Sequence, residues 1–315
     1  MPNLYALQMA DPNLLSYSTL QEAQGCPRRY ELNKKLAHKA IEEEDEIVDF
    51  AFGHAVAAGV QEYLLTGSET KALLACFLNW RTSMMEEIGR KKKSIWYAAV
   101  AVQKFIAQKQ LLLGDWELFS FNGVPAIELS FLITDLPNNK RYRGDIDIVL
   151  KHPSTGKLMV IEIKTTGFNN VDEAVYKNSA QAVGYGVVLD QIGATDASYT
   201  VLYLVYQCGS MEWITFPFIK TRTEKALWIK NLLLDVQMIR VYEQAKHFPQ
   251  RGQHCFSFFK RCPHYGFCGQ SNEQLGLDDR AVADARAEEV RRYMLPHFNI
   301  TMKLHDVVRR QVELL

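Results

Sequence analysis

The chain has 315 residues, 48% of them apolar, with 36 basic and 36 acidic side chains and no net charge. This length allows one large or two ordinary domains with a sizeable core. The charge balance excludes a globally basic nucleic-acid binder, so any groove for a polyanion has to be a local patch. Residues 1–16 lack the basic start and apolar run of a signal peptide, and no stretch of eighteen apolar residues occurs, so a cytoplasmic chain without a membrane span is expected. Six cysteines in such a setting point to a metal or a cluster rather than to disulfides.

In chain order, residues 1–16 read as an irregular lead-in. Ser18-Thr19-Leu20-Gln21 is a capping-box pattern that opens a helix. That helix carries Gln24-Gly25-Cys26-Pro27 and is expected to kink there. An acidic run at 42–46 belongs in solvent. A helix over 47–65 contains Phe52-Gly53-His54, and Thr66-Gly67-Ser68 turns the chain. Helical spacing recurs over 72–85, with Cys76 on the core face, and over 95–113, where Gly114 ends it. Between them Arg90-Lys91-Lys92-Lys93 is either a phosphate contact or a solvated turn.

From residue 116 the period changes to strand. Residues 116–121 and 126–134 flank an Asn122-Gly123 turn. A second hairpin follows, 142–150 and 158–163, around the turn residues Pro153-Ser154-Thr155-Gly156. Charges sit inside this apolar hairpin: Asp147 on its first strand, Glu162 and Lys164 on its second. Residues i and i+2 of a strand share a face, so Glu162 and Lys164 point the same way, and so do Asp145 and Asp147. Buried charge is costly unless it is paired or binds metal. The pattern therefore reads as carboxylates around a divalent cation, the alternative being an exposed hairpin face with solvated charges.

A helix over 172–189 holds Gln181 and Tyr185, four apart on one face. Strands over 198–207 and 213–218 follow, with Cys208 at their turn read as a non-ligand. A helix over 221–246 is opened by Thr221-x-x-Glu224. Then come Cys255, Cys262 and Cys268, three cysteines within fourteen residues, interleaved with His254 and His264. With the distant Cys26 they make four thiols, the number a 4Fe–4S cluster needs. Four thiols equally suit a structural zinc, in which His254 or His264 replaces a cysteine. Either would close a loop of some 240 residues from Cys26 to Cys268, a cross-link worth about 4–5 kcal/mol in the chain-entropy account. A charged helix over 278–293 and an amphipathic helix over 300–315, with Leu304, Val307, Val308 and Val312 at core-like spacing, finish the chain. The last helix either packs on the domain or forms an oligomer interface.

Gly144-Asp145-Ile146-Asp147 followed by Glu162-Ile163-Lys164 resembles the PD-(D/E)XK nuclease superfamily, and specifically its RecB-like exonuclease branch. That resemblance implies an α/β fold, with a central mixed β-sheet flanked by helices and a helical N-terminal section clasped to the C-terminus by a metal cluster. The expected divisions are a helical section 1–115, a nuclease core 116–250, a clasp 251–270 and a helical extension 271–315. It implies that Asp147 and Glu162 bind Mg²⁺ or Mn²⁺ with the main-chain carbonyl of Ile163 and with His54. Lys164 would position the attacking water, and Glu128 would stand behind the site. Gln181 and Tyr185 would contact DNA. The cysteines resemble those of the branch's iron–sulfur exonucleases, making Cys26, Cys255, Cys262 and Cys268 the cluster ligands; that pattern is C-x2-C-x5-C, and here the first gap is six residues.

The activity so implied is metal-dependent hydrolysis of DNA from single-stranded ends, in recombination, repair or the DNA processing of a phage or mobile element. No G-x-x-x-x-G-K-[ST] loop occurs, so no helicase motor is expected. Partners would be DNA and either a second copy or a recombination protein. The competing readings are a catalytically silent DNA-binding subunit and a structure-specific endonuclease of the same fold.

Overall fold

The computed structural model describes residues 11, 13–36, 48–82, 92–169, 171–192, 199–257, 260–277 and 298–313. The acidic run at 42–46, the basic residues 90 and 91 and the helix expected over 278–293 lie outside these. Among the described residues no helix is long and apolar enough to cross a membrane.

A two-residue strand, β1 (Leu14–Leu15), leads into α1 (Tyr17–Gly25) and α2 (Pro27–Leu36). The capping box is present but is set two residues earlier than the sequence pattern indicated. Ser16 is the N-cap, and it and Thr19 exchange side-chain-to-backbone bonds. Ser18 therefore lies inside the helix. The Gly-Cys-Pro step is a full break: Cys26 is extended, with φ −144° and ψ 96°, because Pro27 cannot donate an N–H and restricts the residue before it.

Helices α3 (Val48–Thr66), α4 (Glu69–Leu78) and α5 (Ile95–Leu113) follow. Short strands β2 (Glu117–Leu118), β3 (Ser120–Phe121) and β4 (Val124–Pro125) lead to β5 (Ile127–Leu136). Asn122 and Gly123 turn β3 into β4 with φ of 50° and 81°, as a two-residue hairpin loop requires. The long hairpin is β6 (Lys140–Lys151) and β7 (Leu158–Thr166). The helix expected over 172–189 is two: a single turn α6 (Ala174–Lys177) and α7 (Ala180–Gln191). Then come β8 (Tyr199–Gln207), β9 (Glu212–Lys220), and α8 (Arg222–Ala245), whose Thr221–Glu224 capping box is formed. The pairs β10 (Phe256–Ser257) and β11 (Lys260–Arg261) make a small ladder.

At the C-terminal end the expected single helix is instead a strand, β12 (Ile300–Lys303), followed by α9 (Leu304–Glu313). Ile300 and Met302 alternate inward, and β12 pairs in parallel with residues 131–134 of β5. On α9 Val307 is buried, while Val308 and Val312 are exposed, so the inward face is not the one the spacing indicated.

The fold is α/β with a mixed sheet. The chain forms two compact units that interleave in sequence: Met1–Glu44, Ser130–Gly144 and Ala226–Val312 make one, and Asp45–Leu129, Asp145–Lys225 and Glu313–Leu315 the other. In the second unit β6 and β7 are antiparallel, β7 and β8 parallel, and β8 and β9 antiparallel. Phe52, Val56, Val102 and Phe105 of α3 and α5 pack with Ile148, Ile161, Ile163 and Leu204 on one face of that sheet, and Cys76 and Cys208 are buried in the same core. The opposite face carries α7, where the Tyr199 hydroxyl donates to the Ala182 carbonyl at 2.7 Å. The sheet's charged residues lie on this second face, because alternate residues of a strand point to opposite sides.

In the first unit β1 runs parallel to β6 at Arg141 and Tyr142, and buried Lys34 donates to the carbonyls of Asp11 and Leu14. Gly144 has a steric reason. A Cβ there would lie 2.6 Å from the ring of fully buried Phe131. Gly144→Ala is expected to cost roughly 1–3 kcal/mol as an overpacking change, and Phe131→Leu to recover part of that cost in the double variant. Urea-denaturation midpoints of the three proteins measure it; a Gly144→Ala midpoint equal to the parent's would show that the contact is not tight.

Candidate active site

The β6–β7 ladder reaches Ile148 opposite Ile161. One residue further on, the Asp147 carboxylate accepts the Ile163 main-chain N–H at 3.1 Å. The register sets Asp147 beside Glu162 on the face away from the helical layer. Glu162 is 2% exposed; its Oε1 accepts from Lys164 Nζ at 2.6 Å, and its Oε2 is buried without a partner. Lys164 stands at the mouth with 39% of its side chain exposed.

Burial and the negative charges of Glu162 and Glu128 push the Asp147 carboxyl well above the ordinary carboxylate range, against the pull of Lys164 and the Ile163 N–H. Lys164 moves in the sense that matches. Burial alone would lower it, but Glu162 and Asp147 together outweigh burial and hold the ammonium protonated. This is a site short of positive charge. Its two carboxylates offer oxygen donors, which suit a hard cation such as Mg²⁺ or Mn²⁺. Among the described residues no three His, Cys, Asp or Glu side chains are gathered as a metal-holding set. Asp147 and Glu162 are the two carboxylates that the strand register sets side by side.

Glu128 lies at the start of β5 with φ of 47°, a left-handed conformation unusual for a non-glycine residue and typical of strain kept at functional sites. Part of the residue is exposed, but burial raises its carboxyl too, and the charges of Asp145 and Glu162 add to this. Gln61 of α3 holds it, donating to Glu128 Oε1 at 2.6 Å. Gln61 had no signal in the sequence. Asp145 acts on Glu128, whereas Asp147 meets the Ile163 N–H, so the second aspartate of the Gly-Asp-Ile-Asp run is the one set against Glu162.

His54 is exposed on α3, directly after Gly53, whose missing Cβ faces Thr165 Oγ1 at 3.5 Å. Gln181 and Tyr185 bond to each other on α7, with Nε2 donating to the hydroxyl at 2.6 Å. Of the basic run, Lys92 donates to the Gly209 carbonyl and Lys93 is buried in an ion pair with Asp49 at 2.7 Å; both are engaged within the protein.

The other unit holds the remaining four thiols. Cys26 is buried between α1 and α2, while Cys255, Cys262 and Cys268 are half-buried. Burial raises the Cys268 thiol, and the charges of Cys26, Cys262 and Cys255 add to it against Arg28; among the described residues these thiols are not gathered as a metal-holding set. A polar network the sequence did not announce ties their segments together. Arg28 bonds Glu31 at 2.5 Å, Asn272 at 2.6 Å and the Gln270 carbonyl at 2.7 Å, and Asn272 donates to Glu31 at 2.6 Å. His264 bonds Asn33 at 2.5 Å through Nε2, and the His254 ring packs on Gly25.

Comparison with known families matches residues 14–269 to the PD-(D/E)XK nuclease superfamily. The chain belongs to that superfamily, and the membership points to a phosphodiesterase nuclease. Among solved structures it is similar to a candidate exonuclease from Eubacterium rectale, at 12% identity over 79% of this chain and 88% of that one, with a TM-score of 0.46. It is also similar to the protein SSO0001, at 12% identity over 75% and 76% of the two chains, with a TM-score of 0.31. No curated protein sequence matches.

The raised Asp147 carboxyl has a consequence for stability. Between the unfolded carboxylate pKa, about 4, and its raised folded value, the native state binds more protons than the unfolded state. Stability without metal therefore falls as pH rises through that window. Asp147→Asn keeps an acceptor for the Ile163 N–H and removes the repulsion. It is expected to raise the melting temperature of metal-free protein at pH 7 and to flatten its decline between pH 5 and 7. Thermal melts across that range check this, and a variant less stable than the parent at pH 7 would contradict it.

Proposed function

We propose that the chain is a divalent-metal-dependent deoxyribonuclease that hydrolyses phosphodiester bonds from single-stranded DNA ends. The observation that carries this reading is the buried Glu162 with an unpartnered oxygen, side by side with Asp147 and bonded to Lys164. A bound Mg²⁺ or Mn²⁺ supplies charge neutralisation at the phosphate and acidifies a water. Asp147 and Glu162 hold the ion, with the Ile163 carbonyl and His54 as further oxygen and nitrogen donors. Lys164, which donates to Glu162, orients the nucleophilic water. Glu128, positioned by Gln61, adds negative field behind the two ligands, and Gln181 with Tyr185 contacts the strand.

The four thiols fit a 4Fe–4S cluster of the RecB-like kind, with structural zinc as the other occupant of such a donor set. Its part is to lock α2 to the segment from Cys255 to Cys268, a lock the Arg28–Glu31–Asn272 network already begins. DNA recombination, repair or the processing of mobile-element DNA is the setting such an activity serves.

End-labelled linear single-stranded DNA and a closed single-stranded circle, incubated in Mg²⁺ or Mn²⁺, test the activity. Loss of the linear form alone is expected, with Asp147→Ala and Lys164→Ala lowering the rate at least 100-fold. Cleavage of the circle would make the enzyme an endonuclease. DNA bound but never cut would return the chain to the binding-subunit reading. Protein purified without air is expected to be yellow-brown and to lose colour in Cys26→Ser; a colourless protein carrying one zinc per chain would overturn the cluster.

A further inference from the structure

The face that carries the carboxylates continues sideways into aromatic rings. Glu162 on β7 is in register with Tyr203 on β8, and Tyr203 with Phe216 on β9. Register partners share a face, so one row runs from an acidic ligand into two rings, advancing about 4.8 Å per strand. Tyr176 lies over that row. Its ring is stacked on Tyr203 at 4.7 Å and 28°, and leans on Phe216 at 5.7 Å and 32°. Tyr203 is buried, whereas Tyr176 is half-buried and keeps part of its surface open. The Lys164 ammonium is close enough to act on both phenols.

The turn that presents Tyr176 is held firmly. The Ala174 N–H bonds Asp172 Oδ1 at 2.9 Å, the Tyr176 N–H bonds the Glu173 carbonyl at 2.9 Å, and the Ser179 N–H bonds the Tyr176 carbonyl at 3.1 Å. Buried Lys220 donates to the carbonyl of Lys177. Phe168 and Val175, on the same connection from β7 to α7, are 70% and 69% exposed. Phosphodiester hydrolysis at Asp147 and Glu162 uses none of these apolar groups. A rigidly held, half-open ring beside Lys164 is what an unpaired base requires.

We propose that Tyr176 is a stacking platform for the nucleobase next to the scissile phosphate of a single strand. The proposal rests on the nuclease reading above. Every base has a π face, so a ring platform grips strands of any sequence. A base inside a duplex already has stacked neighbours and a pairing partner, and taking it out of the stack costs a few kcal/mol. Tyr176 is thus a specificity residue, distinct from the groups that act on the phosphate.

The test pairs the full-length protein with a set of labelled oligonucleotides, each lacking the base at one position. With Ca²⁺ in place of Mg²⁺, fluorescence anisotropy reads binding, and KM and kcat are measured in Mg²⁺. In the parent, loss of one particular base near the bound end is expected to weaken binding roughly tenfold, the scale of one base–aromatic stack. Tyr176→Ala should weaken the intact strand by the same factor and become indifferent to that abasic position. Tyr176→Phe should behave as the parent, and the change should fall on KM rather than kcat. Equal binding of intact and abasic strands by the parent overturns the proposal without any variant. So does a folded Tyr176→Ala that still senses the abasic position. If the parent binds with the expected base dependence but cuts nothing in Mg²⁺ or Mn²⁺, the stacking role stands and the nuclease reading fails.

Discussion

Two carboxylates held side by side with too little positive charge are the constraint around which the second unit is arranged. Asp147 and Glu162 repel each other in a buried setting, and Lys164 supplies one compensating charge. Two other buried lysines have acidic partners: Lys225 pairs with Asp190 at 2.7 Å, and Lys140 with Glu243 at 2.5 Å. Among the described residues, Glu162 is the carboxylate left with a buried oxygen that nothing satisfies. A protein tolerates such a group only where something else completes it.

The sheet makes that arrangement possible by dividing its labour between faces. Isoleucines at 148, 161 and 163 go to the helical layer with α3 and α5. That face is then open to charge at Asp147, Glu162 and Lys164, and to rings at Tyr203 and Phe216 one and two strands away. Helix α3 also reaches the acidic group, through Gln61 on Glu128. The left-handed backbone at Glu128 is the local strain that aims the side chain there.

The first unit follows a different logic. Arg28, Glu31 and Asn33 of α2 bind the segment that carries three of its thiols. Arg28 reaches two side chains and a main-chain carbonyl at once, a use of the guanidinium fork that a lysine could not reproduce. The polar network thus ties α2 to the segment that carries Cys262 and Cys268.

Local regularities were legible without coordinates. The alternation and turn residues of the β6–β7 hairpin, the 95–113 helix and the Thr221–Glu224 cap follow from short-range periodicity and side-chain chemistry, and all three are present as read. So was the pairing of Glu162 with Lys164, because residues two apart in a strand must share a face. Where short-range signals compete, the sequence pointed astray. Ser16 rather than Ser18 caps α1. The last segment starts as a strand, because β5 offers a hydrogen-bonding edge to Ile300–Lys303 that no local pattern announces. Gln61 on Glu128, Tyr176 on Tyr203 and Arg28 on Asn272 join residues 67, 27 and 244 positions apart. Sequence by itself determined which charged side chains the β6–β7 hairpin carries and which of them share a face, since residue types and their spacing within one hairpin suffice for that. Tertiary structure alone decided which acid faces which, which ring lies beside the lysine and what ties α2 to the segment that carries Cys262 and Cys268, because those contacts depend on strand register and packing between segments far apart in the chain.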